Sequence, residues 1–163
     1  MSDSETEPEC IAKSLQWDQP AFLTFINRTG YPVDIAWLDY HGKIVRYRKE
    51  LASGGVCHQN TFFTHPWIAW HSRTLERALL GGQKVFHPQA WQGEQQRTVV
   101  FIDRPVKSLL QLSAQTVKYL VRGDVDELEI PRDLLGLLKK RRRIDFVDYV
   151  TSRRYVRANR PNP

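Results

Sequence analysis

From Pro20 to Asp103 the chain reads as short runs of alternating apolar and polar residues broken by turn residues, at roughly the 8–12-residue spacing of a β-sandwich. The candidate strands are Phe22–Ile26, Val33–Tyr40, Ile44–Tyr47, Thr61–Phe63, Trp67–Trp70, Ala78–Leu80, Lys84–Phe86 and Thr98–Ile102. Within the second run Ile35 and Trp37 alternate with Ala36, Leu38 and Tyr40, the period of two that a pleated strand imposes. His41-Gly42 turns the chain, Ser53-Gly54-Gly55 ends a longer loop, and Gly81-Gly82 suits a tight hairpin, because both central residues of such a turn need positive φ.

After Asp103 the period lengthens. Pro105 opens a segment in which Leu109, Leu112, Val117 and Leu120 recur at helical steps, Leu110 and Val121 widen the stripe, and Gly123 closes it as a C′ residue would. A second helical segment begins around Pro131, a residue suited to a first turn, and runs through Leu134, Leu135, Leu137 and Leu138. A third stretch, Ile144 to Val156, fits either period. The expected fold class is α+β: an N-terminal β-sandwich domain of about seven strands followed by a small helical domain. The expected divisions are a flexible acidic segment over 1–19, the sandwich over 20–103, a helical domain over 104–142, and a basic C-terminal segment over 143–163 that could pack back as a helix. The helical stretch carries more apolar surface than two or three short helices can hide, and large apolar patches mark interfaces; it is expected to dock on another protein.

Length and composition exclude several classes. A chain of 163 residues buries roughly 68–70% of its unfolded surface and needs no extra staples. No apolar run approaches the roughly 18 residues of a membrane span. The start, Met1 to Glu9, is acidic and lacks the basic and apolar regions of a secretory signal. Cys10 and Cys57 are the only thiols, unlike the dense framework of a secreted disulfide fold. These features place the chain in the cytoplasm or nucleus. The net charge of +6 is unevenly spread: residues 1–138 hold 15 Lys and Arg against 16 Asp and Glu, whereas residues 139–163 hold 9 against 2. The excess therefore belongs to the tail and its run Lys139-Lys140-Arg141-Arg142-Arg143, which reads either as a solvated helix end that suits the macrodipole or as a phosphate-binding or import segment.

Candidate chemistry concentrates between Thr61 and Trp67. Alternation along a regular strand puts Thr61, His65 and Trp67 on one face with Pro66 pointing away, and Trp37 and Tyr47 sit on preceding strands that a meander brings alongside. A hydroxyl, an imidazole and three aromatic rings could then line one pocket; the competing reading makes Trp37 and Trp67 sandwich core. Cys57-His58 with His65 and His71 lacks the tight paired spacing of zinc sites, Cys57 has no local nucleophile signature, and neither Gly54-Gly55 nor Gly81-Gly82 belongs to a phosphate-binding loop. No catalytic residue, metal or cofactor is expected.

Several ordered stretches resemble the von Hippel-Lindau tumour suppressor family: Phe25-Ile26-Asn27-Arg28-Thr29, Val33 through Trp37-Leu38-Asp39-Tyr40-His41-Gly42, Tyr47, Thr61, His65-Pro66-Trp67, and Arg104-Pro105-Val106 leading to Ser108-Leu109. The resemblance covers about Phe25 to Leu138. It implies a β-sandwich followed by a three-helix domain, and a non-catalytic substrate-recognition subunit of a cullin-RING ubiquitin ligase that binds 4-hydroxyproline in the hypoxia-inducible factor α subunit. By position, the hydroxyproline pocket would be Trp37, Tyr47, Thr61, His65 and Trp67. The three rings would pack on the pyrrolidine, and the Thr61 hydroxyl and His65 imidazole would bond its 4-hydroxyl. Thr61 stands where the family usually has Ser, and Asn60 and Phe62, at flanking peptide contacts, replace its usual His and Tyr. Plain proline would leave both polar groups unsatisfied at about 1–3 kcal/mol each, together about 30-fold to 10⁴-fold in affinity. The rest of an extended peptide is expected to bond along a sheet edge, where a residue such as Pro66 is tolerated.

The family's Elongin C-binding box is matched by Ser108, Leu109 and Val117, with Ser113 in place of its Cys. A buried Ser wants a hydrogen bond, which the carbonyl four residues back could accept, so docking is expected to be weakened by roughly 1–3 kcal/mol. Ile130-Pro131-Arg132-Asp133-Leu134 resembles a cullin box, with Ile130, Pro131 and Leu134 as its contacts. The implied partners are Elongin C with Elongin B, a cullin scaffold with its RING subunit, and the hydroxylated peptide; a membrane is not. The alternative is a divergent β-sandwich that binds nucleic acid through its basic C-terminal segment.

Overall fold

The computed structural model describes residues 12–139 and 142–149. They form eight strands, β1 Pro20–Asn27, β2 Val33–Leu38, β3 Ile44–Leu51, β4 Val56–Phe62, β5 Trp67–His71, β6 Arg77–Leu80, β7 Thr98–Asp103 and β8 Phe146–Asp148, and two helices, α1 Leu109–Leu120 and α2 Arg132–Lys139. The strands run in the order β4-β1-β7-β6-β5-β2-β3-β8. Four-residue β6 pairs with β5 on one side and β7 on the other, so it joins two ladders into one curled sheet. The pairs β1/β7 and β3/β8 are parallel and the rest antiparallel. The β domain followed by a small helical part is the α+β architecture expected from the alternation.

The principal core comes from the inward positions of both ladders, among them Leu23, Phe25, Ile35, Trp37, Val45, Trp67, Leu80 and Ile102. Phe25 of β1 meets Trp67 of β5 at 5.6 Å between ring centroids, which shows the two ladders packed face to face. The opposite face of β2 and β5 carries a second cluster, Ala36, Leu38, Ile68 and Trp70, covered in part by Leu75, Val85, Ile144 and Phe146. Strand β2 is therefore buried along its whole length. Asn27, which ends β1, is fully buried and makes four hydrogen bonds: its amide donates to the Tyr31 and Leu51 carbonyls, and its carbonyl oxygen accepts from the Thr29 amide and hydroxyl. A buried amide so satisfied fixes the turn into β2 without leaving an unpaired polar group.

Several local expectations need correction. Lys84–Phe86 forms no strand; the Gly81-Gly82 turn closes on Gln83 and Phe86 makes one isolated bridge to Trp67. Strand β4 begins at Val56, not Thr61, because its outward residues Val56, His58 and Asn60 are exposed and read as loop. The segment expected to be flexible up to residue 19 is anchored at Ser14, whose side chain is buried and donates to the Leu38 carbonyl at 2.6 Å. Residues 1–11, with Cys10, lie outside the described residues. Of the ambiguous stretch from Ile144, residues 146–148 are strand, and residues 150–163 lie outside the described residues.

The chain divides into two compact units, one of residues 1–104 with 144–163 and one spanning Pro105–Arg143. In the second, Ser108 caps α1 in a reciprocal box: its hydroxyl accepts from the Gln111 backbone amide and the Gln111 side chain accepts from the Ser108 amide, satisfying two otherwise orphaned donors. The helix ends at Val121 in extended backbone, so Gly123 is not its left-handed cap. A single 3₁₀ turn, Val125–Glu127, leads to Pro131, whose carbonyl accepts from Leu134 and Leu135 as α2 starts. No described helix is long and apolar enough to cross a membrane.

Candidate functional site

Three strands and one corner bring the candidate residues together. Strand β2 lies between β3 and β5, and the β2/β5 register sets Trp37 opposite Trp67. Tyr47 rises from β3, 6.1 Å from Trp37 and 5.3 Å from Trp67 between centroids, near perpendicular to both. The expected continuous strand from Thr61 to Trp67 is not formed. The chain leaves β4 at Phe62, turns through Phe63 and Thr64 with the His65 amide donating to the Phe62 carbonyl at 3.0 Å, and enters β5 at Trp67. This corner joins strands of different ladders, and it brings Thr61 to Trp67 and His65 to Trp37 by a route that simple alternation does not describe. Pro66 consequently sits in a loop before an interior strand rather than on an edge, its carbonyl accepting from the Leu38 amide.

The polar atoms are arranged with equal economy. The Trp67 indole N–H donates to the Thr61 hydroxyl oxygen at 3.0 Å, leaving the hydroxyl proton for another acceptor. The Trp37 indole N–H donates to Ser14 Oγ at 2.5 Å. Both indoles thus spend their only donor inside the protein and present carbon surface. The His65 ring stacks on Trp37 at 5.0 Å and 26°, its edge meets Phe62 at 5.0 Å, and Tyr40 crosses it nearly at right angles with the phenol oxygen 3.2 Å from Nε2. Trp37 and Trp67 are 3% and 2% exposed, Thr61 and His65 5% and 7%. Core and site are therefore the same rings: the tryptophans belong to the principal core, and Thr61 and His65 sit where that core approaches the surface.

Flanking residues are also placed. Asn60 accepts from Arg97 at 2.6 Å. Cys57 is half-buried, and burial pushes its thiol above the ordinary range despite nearby Arg48; His58 is engaged with Thr24 at 3.0 Å, and His71 stacks on Tyr31 at 4.3 Å with its pKa lowered chiefly by burial. These residues do not converge, and among the described residues no group of three or more His, Cys, Asp or Glu is placed to hold a metal ion.

Sequence reasoning missed three participants: Ser14, Tyr40 and Tyr149. Tyr40 had a signal in Asp39 and Gly42, since the Asp39 carboxylate accepts from the His41 and Lys43 amides and folds the turn that lays Tyr40 over His65. Tyr149 stacks on Tyr47 at 4.0 Å and 26°.

In the helical unit, Ser108 caps α1, and Leu109, Ser113 and Val117 lie on it, Leu109 being 80% exposed. The Ser113 hydroxyl donates to the Leu109 carbonyl four residues back at 2.9 Å. Ile130 and Pro131 precede α2 and Leu134 lies in its first turn, with Ile130 and Leu134 half-buried. Of the basic run, Lys139 is paired with Asp126, and Lys140 and Arg141 lie outside the described residues.

The family model described as the VHL beta domain matches residues 12–94. That span begins with the segment carrying Ser14, contains β1 through β6, and encloses Trp37, Tyr40, Tyr47, Thr61, His65 and Trp67. Half of the sequence thus matches one family along the strands that build the aromatic site, and the chain belongs to the VHL family.

Proposed function

We propose that this chain is the substrate-recognition subunit of an Elongin B/Elongin C/cullin-RING ubiquitin ligase, working in cytoplasm and nucleus, which binds 4-hydroxyproline in the hypoxia-inducible factor α subunit and directs it to proteasomal degradation. Family membership supports a substrate-recognition module rather than a catalyst, within complexes of the Elongin and cullin type. The observation that carries the finer reading is Thr61 bonded to Trp67 and His65 stacked on Trp37, with Tyr47 against both indoles. Indole surface with no spare donor suits a pyrrolidine ring. A Thr61 oxygen already holding one proton from Trp67 leaves its hydroxyl to donate, and His65 adds a second polar partner. An alcohol can donate and accept at once, so a 4-hydroxyl matches this pair and a methylene does not. Strand β4 is the outermost of its ladder and carries Thr61 next to its last residue, Phe62, which suits an extended peptide adding along that edge, past Asn60 and Phe62.

On the helical side, Ser108, Leu109, Ser113 and Val117 would face Elongin C, and Ile130, Pro131 and Leu134 the cullin. Ubiquitin transfer belongs to partner enzymes. The test is a fluorescence-polarisation titration with matched proline and 4-hydroxyproline degron peptides. With His65 already engaged by Tyr40, the cost of proline falls on the Thr61 hydroxyl, and the hydroxylated form is expected to bind about 5-fold to 150-fold more tightly; equal affinities would end this reading. Co-purification with Elongin B and Elongin C tests the assembly half separately.

A further inference from the structure

The return of the chain after the helices reaches the aromatic site. Strand β8 pairs in parallel with β3 in the register Ile44/Phe146, Val45/Val147 and Arg46/Asp148. Tyr149 follows directly after the last residue of β8. Alternation sends the first and third rows to one face, where Phe146 meets Trp70 at 5.5 Å and Arg46 lies over the Phe146 ring at 4.3 Å. Arg46 there bridges the buried Asp34 carboxylate at 2.7 Å and the Asp148 carboxylate at 2.6 Å. Val45 lies in the principal core and Tyr47 and Tyr149 pack against it, so Tyr149 joins Tyr47 on the side of Trp37 and Trp67.

Resting on the reading under Proposed function, we propose that Tyr149 is a positioning residue of the hydroxyproline site, holding the Tyr47 ring in the orientation that the ligand meets. The two rings stack in nearly parallel planes with centroids 4.0 Å apart. With the two tryptophans perpendicular on one side and Tyr149 flat on another, Tyr47 keeps little rotational freedom. A ring ordered before the ligand arrives spares the ordering cost on binding. The anchors on the other face of β8, Phe146 and Asp148, hold Tyr149 in register.

The test compares the full chain with Tyr149→Ala, Tyr149→Phe, Tyr47→Ala and the Tyr47→Ala/Tyr149→Ala double variant, each titrated with the fluorescent 4-hydroxyproline peptide and its proline counterpart. Tyr149→Ala is expected to weaken the hydroxylated peptide about 2-fold to 12-fold, the span of one aromatic pair. Tyr149→Phe, which keeps the stacking ring, restores wild-type affinity, and the double variant binds no more weakly than Tyr47→Ala alone. If wild type does not discriminate the two peptides, the hydroxyproline reading fails and this one with it. If wild type discriminates and Tyr149→Ala binds the hydroxylated peptide as tightly or more tightly, the positioning role alone is overturned; tighter binding would make Tyr149 a cover. Additive losses in the double variant would equally overturn it, since Tyr149 would then act other than through Tyr47.

Discussion

In the β unit Phe25, Trp67, Trp70 and Ile102 are sealed from water, while in the unit spanning Pro105–Arg143 helix α1 buries none of its residues and leaves Leu109 80% and Leu120 73% exposed. Leu138 is the one described residue of that unit sealed to the same degree. The two regions draw on similar residues to different ends. Strands alternate, so each inward apolar side chain finds a facing ladder; the apolar stripe of α1 stays exposed among the described residues. Fold stability is thus concentrated in one unit and unspent apolar surface in the other, and this contrast can be tested by substitution.

The largest expected effect is a split in stability. Phe25→Ala removes a ring packed on Trp67 and should cost about 3–5 kcal/mol, whereas Leu109→Ala should stay within about 0.5 kcal/mol, both read by urea titration of the free chain. Equal losses would break the contrast by showing that α1 is held by a core of its own. Next in size is Ser113→Cys. It removes a hydroxyl bonded to its own helix and should tighten capture of Elongin B/Elongin C by about 1–3 kcal/mol, read by calorimetry, while leaving the unfolding midpoint of the free chain unchanged. The smallest effect is acid release of β8. The Asp148 carboxyl is held below its usual range chiefly by the hydrogen bond from Arg46. Its contribution to docking is complete above the ordinary carboxylate value of about 3.9 and is lost as pH falls through the depressed folded value. Asp148→Asn should flatten the acid limb of the near-ultraviolet dichroism of the tyrosines.

The sequence made most strands of the β unit legible because one-sided burial writes a period of two into each. It failed where burial departs from that rule. Outermost β4 exposes Val56, His58 and Asn60 and therefore resembles a loop. Lys84–Phe86 has strand-like residues but meets its neighbour at a single bridge, since the paired edge of β6 is already taken by β7. The site residues could be nominated from residue type, parity and family resemblance, yet the corner after Phe62 that brings Thr61 to Trp67 and His65 to Trp37 leaves no periodic trace. Ser14 and Tyr149 were invisible for a different reason: each reaches the aromatic cluster from a segment whose charge suggests a solvated tail, and only long-range pairing brings it in. Asn27 shows the converse, a polar residue inside an apolar strand whose four bonds make it a clamp.

The helical unit lies in the sequence between two strands of the β unit, β7 before it and β8 after it. A premature stop codon within the helices therefore deletes more than the lesion's own location suggests: besides truncating the helical unit, it strips the outermost strand from the sheet and with it Asp148 and Tyr149. Frameshifts late in the reading frame belong to the same group, and they would be expected to damage recognition as well as assembly.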